Sequence, residues 1–473
     1  GKAASGGAAG VSTMDLQGLP VFFHAPHRVM FLAGATQGLL AMLWWTFDLS
    51  ARYAGLHALP GWPLPSPWIH AALMSFGFFP FFIFGFVMTA GPRWQAAAPV
   101  GQASYLAAFA LMGVGWLGFY AAMWQRLLLL PALAIVLAGW CAGLPTLWRV
   151  ARTPGSERTH IVAVVAGLTF GALLLAAFLA FAAGGPAWLA QLAVKGAPWF
   201  FLLPVFTALC HRMLPFFSSA VIPKYRVVRP LWLLHLLLAG YAVHGVLEVA
   251  GLPQWTWLAD LPAALAALWL SWAWQLRRCL AVRLLAVLHV AFLWLGVSLA
   301  LHAAHSLLLL TGAGSLGLAP LHALTLGFFA SAVIGMVTRV TLGHSGRPLN
   351  ADNATWLMFW GMLISTIGTS MIWPFLMVYL TKVHGYPLTQ AAILLSTNAF
   401  TGLIFSFIAG PITDYTGRKR VMAFSLVAMG GYYLLLSQAQ EYYQFLLLMI
   451  LGGSLMPLYR VGADAMLADL VPP

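Results

Sequence analysis

The chain has 473 residues, 62% hydrophobic and 7% charged, with a mean hydropathy of +0.89. That composition excludes a soluble core, and apolar runs of about 20 residues recur along the whole length, where a β-barrel would show short alternating segments. The formal charge of +13 is a matter of topology and does not imply a nucleic-acid partner: with the N-terminus in the cytoplasm, about 19 of the 23 Lys and Arg fall inside, leaving Arg52, Arg126, Lys195 and Lys382 outside.

The fold expected is therefore an all-α polytopic membrane protein of about 14 transmembrane helices with a cytoplasmic N-terminus. Residues 1–20 are rich in Gly, Ala and Ser, lack an apolar core, and read as a flexible tail and not as a signal peptide. Ten spans follow, at 29–47, 68–90, 103–123, 126–148, 160–183, 197–217, 231–250, 255–276, 283–311 and 320–342. Four more are expected at 354–381, 388–410, 420–438 and 442–462.

The first span follows His24, His27 and Arg28 at the cytoplasmic edge and ends at Trp44 and Trp45, an interfacial aromatic pair. An outer loop holding Pro60, Pro63, Pro65 and Pro67 cannot be helical throughout. His70 then opens the second span, which is rich in Phe and Gly and closes at Gly91-Pro92-Arg93-Trp94. Spans three and four have no ionisable group in their middles and read as scaffold. The sixth ends in His211 and Arg212, with Pro215 where the helix should break. Cys141, Cys210 and Cys279 all fall toward the cytoplasmic side, form neither CxxC nor CxxCH, and read as packing thiols.

Depth sorts the remaining histidines into two groups. His211, His235 and His289 lie about 6–10 Å inside the cytoplasmic boundary at 1.5 Å per residue. His70, His244, His302, His305 and His322 lie toward the outer boundary, and His302 and His305 are spaced to face the same neighbour. A neutral imidazole ligates haem iron or copper without bringing charge into the bilayer. Taken singly, an interfacial histidine such as His57 or His160 is hydrated, and a buried one bonds a neighbouring helix. As groups at two depths they are candidate ligands. Central acids are scarce in the first ten spans, with Glu248 near an outer end, which argues against a carboxylate di-iron site or a proton relay.

The most distinctive stretch is Leu321–Leu349, LHALTLGFFASAVIGMVTRVTLGHSGRPL. It opens on His322 and passes through the small residues Gly327, Ala330, Ser331, Ala332 and Gly335, which let a helix or a flat cofactor approach closely. It ends in a basic turn at Arg339, His344 and Arg347. Together with HAALMSFGFFPFFIFGFVMTAGPRW (70–94), HRMLPFF (211–217) and LHVAFLWLG (288–296), this stretch resembles the NnrS family over residues 20–349. His70, Arg212, His289, His322, Arg339, His344 and Arg347 stand at positions similar to the family pattern. The resemblance implies a membrane protein that binds haem, expected as b-type, and copper, and that is linked to nitric oxide and nitrosative stress. Where a second histidine and an acid are expected soon after the first, this chain has Ala72 and Leu73.

The composition changes at Asn350. Residues 351–473 resemble the first four helices of a major facilitator superfamily transporter, with Gly410, Asp414, Gly417, Arg418 and Lys419 matching the loop between helices two and three. Gly410 and Gly417 permit a tight turn, and Asp414 can stabilise a helix end and pair with the basic residues. Four helices cannot provide alternating access between two six-helix halves. A natural fusion, a truncated piece and a composite remain open.

Three domains are thus expected: the tail 1–20, a ten-helix NnrS-like domain over 21–349, and a transporter-like segment over 350–473. The functional expectation is a haem/copper protein of the bacterial inner membrane that senses, binds or turns over nitric oxide, a small neutral ligand able to arrive through the lipid. Haem is expected at His211, His235 and His289, with Arg212 and Arg339 on its propionates, and a metal at His70, His244, His302, His305 and His322. The alternatives are transport with a membrane-protein partner supplying the missing helices, or a metal-free membrane scaffold.

Overall fold

The computed structural model describes residues 21–54, 62, 64–154, 157–344 and 376–470. Outside these fall the tail 1–20, His57, Pro60, Pro63, Arg347 and most of the span expected at 354–381; nothing is described of the His344 side chain. Among the described residues every regular element is helical, and 12 helices are long and apolar enough to cross a membrane. The protein is an all-α polytopic membrane protein. The difference from 14 has two sources. One expected span lies largely outside the described residues, and another is a shorter apolar helix, Trp257–Ala273.

The helices are α1 Pro26–Ala54, α2 Ser66–Trp94, α3 Gln102–Ala121, α4 Arg126–Arg152, α5 Thr159–Ala182, α6 Ala187–Val221 and α7 Leu231–Val249. They continue as α8 Trp257–Ala273, α9 Arg283–Thr311, α10 Ala319–Val340, α11 Leu388–Thr416, α12 Arg418–Gln438 and α13 Tyr442–Leu470. The chain divides into two compact units. One comprises Gly1–Thr46 with Leu59–Pro348, the other Phe47–Ala58 with Leu349–Pro473.

In the first unit, close packing is set by small residues. A Cβ at Gly115 of α3 would come within 2.7 Å of the Val136 nitrogen, and one at Gly139 of α4 within 2.8 Å of the Met112 nitrogen, so α3 and α4 touch backbone to backbone. The small residues of α10 serve the same purpose. Gly327 receives the Trp294 ring and Gly335 the Leu288 side chain, both from α9, so helix packing fills these two positions.

Two of the long helices contain π-helical turns just ahead of a proline. Leu73–Phe78 precedes Pro80 in α2, and Ala197–Leu202 precedes Pro204 in α6. A proline has no N–H for the regular ladder, and the preceding turn widens, so that Phe79 N–H donates to the Met74 carbonyl and Leu203 N–H to that of Pro198. A third π segment, Ala323–Ala330, lies in α10. Rings that follow the first two wide turns meet one from the third: Phe79, Phe206 and Phe329 contact one another with centroids 4.9–5.7 Å apart. Pro215, expected to break α6, lies inside it; the helix runs on to Val221, with Leu214, Phe217 and Ser218 buried around the proline.

The second unit packs α11, α12 and α13 around Leu394, Met429, Tyr432, Leu436, Phe445 and Met449. The turn between α11 and α12 is made at Gly417, whose φ of +93° favours glycine. Gly410 lies within α11 and takes no part in it. Asp414 and Arg418 pair across this turn at 3.9 Å.

Candidate functional site

Two polar clusters are built into the first unit, one near each end of the helices. At the basic end, which the charge rule assigns to the cytoplasm, α5 begins with Glu157 just ahead of it. The Glu157 carboxylate accepts from the Thr159 backbone N–H and from His160 Nδ1. His160 Nε2 meets Nδ1 of His211, on α6, at 2.9 Å, and the two rings stack with centroids 5.1 Å apart. His211 is 0% exposed; its Nε2 makes no hydrogen bond of normal geometry among the described residues, and the Pro230 carbonyl faces the ring.

These contacts fix the protons. A carboxylate can only accept, so His160 carries its proton on Nδ1 and, when neutral, presents a lone pair at Nε2. His211 must then donate from Nδ1, which leaves a bare lone pair on its buried Nε2. Partial burial pushes the Glu157 carboxyl up, but the hydrogen bonds from Thr159 and the neighbouring His160 outweigh this and hold it below its ordinary value. Arg212 stands 3.8 Å from Glu157 and lies over the Trp94 ring at 4.8 Å, so it is anchored in the same cluster.

His289 of α9 completes this end. Trp274 lies edge-on to both His211 and His289, at 5.9 and 6.5 Å. Ser218 donates to the Leu214 carbonyl, so its oxygen accepts from His289 Nε2 at 3.0 Å, and the free lone pair of His289 is on Nδ1. Cys279 packs here too, with Sγ 3.6 Å from the Ser218 hydroxyl, and burial raises its thiol. Arg339 lies 3.9 Å over the Phe217 ring and has no acidic partner among the described residues. His235 is exposed on α7 and does not join the group.

At the opposite end, His244 Nδ1 of α7 is hydrogen-bonded to Asp260 of α8 at 2.6 Å, and donates to it when the acid is ionised. Asp260 is 1% exposed. His244 stacks on Trp199 at 3.3 Å, and His302 of α9 lies edge-on to both rings, 5.5 Å from His244. His302 donates from Nδ1 to the Ser298 carbonyl at 2.9 Å and so keeps Nε2 as the lone pair, as His244 does when Asp260 is ionised. His305, three residues on, does not share that neighbour: its Nδ1 accepts from the Leu316 N–H at 3.0 Å. His70 stacks on Trp45 at 4.2 Å, and His322 is exposed with Nδ1 on the Leu318 carbonyl. Among the described residues no three His, Cys, Asp or Glu side chains are grouped to hold one metal ion.

Sequence reasoning missed three members of these clusters. His160, expected to be hydrated, is 2% exposed and bonded on both ring nitrogens. Glu157 carried one signal, an acid three residues ahead of a histidine at the mouth of an apolar run. Asp260 carried a stronger one, a carboxylate four residues into an apolar helix, which must find a partner there.

Comparison with known proteins agrees with this architecture. Residues 358–473 match the Major Facilitator Superfamily. Over 119 residues the chain is 30% identical to the uncharacterized MFS-type transporter YqjV of Bacillus subtilis (strain 168), covering 24% of this chain and 28% of that protein. Over 120 residues it is 26% identical to the uncharacterized MFS-type transporter YhjO of the same organism, covering 24% and 29%. The chain thus spans less than a third of the curated relatives it matches. No solved structure matches it. The profile of the NnrS protein family matches residues 21–411, which is most of the chain, and this membrane protein belongs to that family.

Proposed function

We propose that this protein is a haem- and copper-binding protein of the bacterial inner membrane that binds or turns over nitric oxide. The observation that carries the reading is the Nε2 of His211, fully buried, without a hydrogen bond of normal geometry among the described residues although the Pro230 carbonyl faces the ring, and left as a lone pair by the Glu157–His160 contact. A buried polar atom without a partner is costly in an apolar interior, and a metal ligand bond would satisfy it. Histidine ligands almost always donate their other ring N–H to an orienting group. His211 does so to His160, His244 to Asp260 and His302 to Ser298.

On this reading His211 holds haem iron at the inner end, while Arg212 and Arg339 offer guanidinium groups to propionates. His289 keeps its free lone pair on Nδ1, so it serves as a ligand only through that atom. His244 and His302, two imidazoles with oriented rings, suit copper at the outer end. His235, exposed on its helix, and His305, whose Nδ1 lone pair is already used, have the weakest claims of the original set, and His70 and His322 stand apart from the His244–His302 pair. When bound, the haem supplies an iron coordination position for a small neutral ligand. The residues of this chain orient the ligand nitrogens and pack Trp199 and Trp274 against the histidine rings.

The test is an optical spectrum of the detergent-purified chain, oxidised and then reduced, with metal analysis of the same sample. A Soret band that shifts on reduction and disappears in His211→Ala is expected. A colourless, metal-free protein never exposed to chelator refutes the reading. The match of residues 358–473 to the Major Facilitator Superfamily favours a second reading, transport with a membrane-protein partner, which requires no pigment.

A further inference from the structure

Helix α8 ends early. Its 17 residues rise about 25 Å, short of the roughly 30 Å hydrocarbon thickness. The chain then turns at Gln275, a non-glycine residue with φ +57°, into the short helix Leu276–Cys279. The turn leaves a groove of about 710 Å³ between the end of α8 and α9, walled by Leu268, Trp269, Trp272 and Leu293 and closed at its polar end by Arg277 and Arg278. Trp272 is 74% exposed, a large aromatic left open at the membrane surface.

The two arginines differ. Arg278 donates to the Pro223 carbonyl at 2.7 Å and to the Gln275 side chain at 2.5 Å, so it ties the turn to the preceding basic loop. Arg277 is exposed and has no acidic partner among the described residues. Lys224, Arg226 and Arg229 lie in the loop that Arg278 holds, and no acid stands in residues 222–230 or 274–282. An apolar trough capped by unneutralised guanidinium is complementary to one kind of occupant: a molecule with acyl chains and an anionic phosphate head.

We infer that this groove is a binding site for an anionic phospholipid, with Arg277 on the phosphate and the acyl chains along Trp269, Trp272 and Leu293. The lipid fills the thickness that α8 leaves unspanned. One arginine near a lipid surface contributes about 1 kcal/mol, which converts to a roughly fivefold change in affinity.

The experiment is native mass spectrometry of the full chain, delipidated in detergent and titrated with phosphatidylglycerol, phosphatidylethanolamine or inorganic phosphate. The expected result is preferential retention of phosphatidylglycerol, with its affinity reduced about fivefold in Arg277→Gln and retained in Arg277→Lys. Trp272→Ala, which removes an exposed wall of the trough without touching the charge, is expected to weaken lipid retention as well. Equal affinity for the two lipids, or no change in Arg277→Gln, overturns the inference. Displacement of bound lipid by inorganic phosphate alone overturns it too, because the site then recognises a free anion. A misfolded Arg277→Gln is recognised by its unfolding midpoint, and the Trp272→Ala arm then decides, unchanged lipid retention there overturning the inference.

Discussion

The buried contact between His244 and Asp260 makes a quantitative prediction. The two residues lie on neighbouring helices, the nitrogen–oxygen distance is 2.6 Å, and both side chains are nearly inaccessible. A hydrogen bond to a charged group contributes about 1.5–3 kcal/mol net in a folded protein. Between membrane helices the measured range is lower, averaging about 0.6 and reaching about 1.7 kcal/mol, because the unfolded chain in detergent finds other partners. Asp260 Oδ2 has no partner among the described residues, so part of the benefit offsets its burial. Removing the carboxylate alone therefore understates the pair, and a double-mutant cycle is required. His244→Phe keeps the stack on Trp199, and Asp260→Leu keeps volume. The cycle, read from unfolding in mixed micelles, is expected to give a coupling of about 1–2 kcal/mol. Asp260→Asn, which still accepts from Nδ1, is expected to retain most of the single-site stability. A coupling below about 0.3 kcal/mol, within the additivity of independent sites, would refute the pairing and with it the assignment of Nε2 as the free nitrogen of His244.

Three further outcomes follow from the same structure. Gly139→Ala places a methyl 2.8 Å from the Met112 nitrogen and is expected to destabilise the protein by about 1–3 kcal/mol, whereas Gly113→Ala, facing open space, is expected to be neutral; equal midpoints for both would refute the close α3–α4 contact. Glu157 is held below its ordinary value in the folded protein. Its stabilisation is therefore complete above the unfolded carboxylate value of about 4.3 and is lost as pH falls through the lowered folded value, so Glu157→Gln is expected to flatten the acid limb of a stability–pH profile. His160→Leu removes the acceptor for His211 Nδ1–H and is expected to weaken haem retention about 10–100-fold, with His160→Gln intermediate; unchanged retention in His160→Leu, with loss in His211→Ala, would show that His160 does not orient the ligand.

How much of this was legible beforehand depends on the kind of signal. Apolar runs of membrane length located nearly every helix, because in a bilayer the backbone must satisfy itself and hydropathy decides where. The depth of His211, His244, His289 and His302 followed from counting residues along those runs. Their partners did not, because a contact between α5 and α6, or between α7 and α8, depends on how each helix is rotated about its axis. That rotation is set by packing such as the glycine contact of α3 on α4 and the wide turns ahead of Pro80 and Pro204.

By itself, then, the sequence determined a helical membrane protein, its segments and the depth of its histidines, since hydrophobic length and charge asymmetry are local and additive along the chain. Only the tertiary structure decided that His160 turns inward to His211, that Asp260 orients His244, that His302 and His305 face different partners, and which ring nitrogen each histidine keeps free. A histidine's tautomer is fixed by the donor or acceptor across the helix interface, and that neighbour can be 51 residues away in the chain, as His160 is from His211.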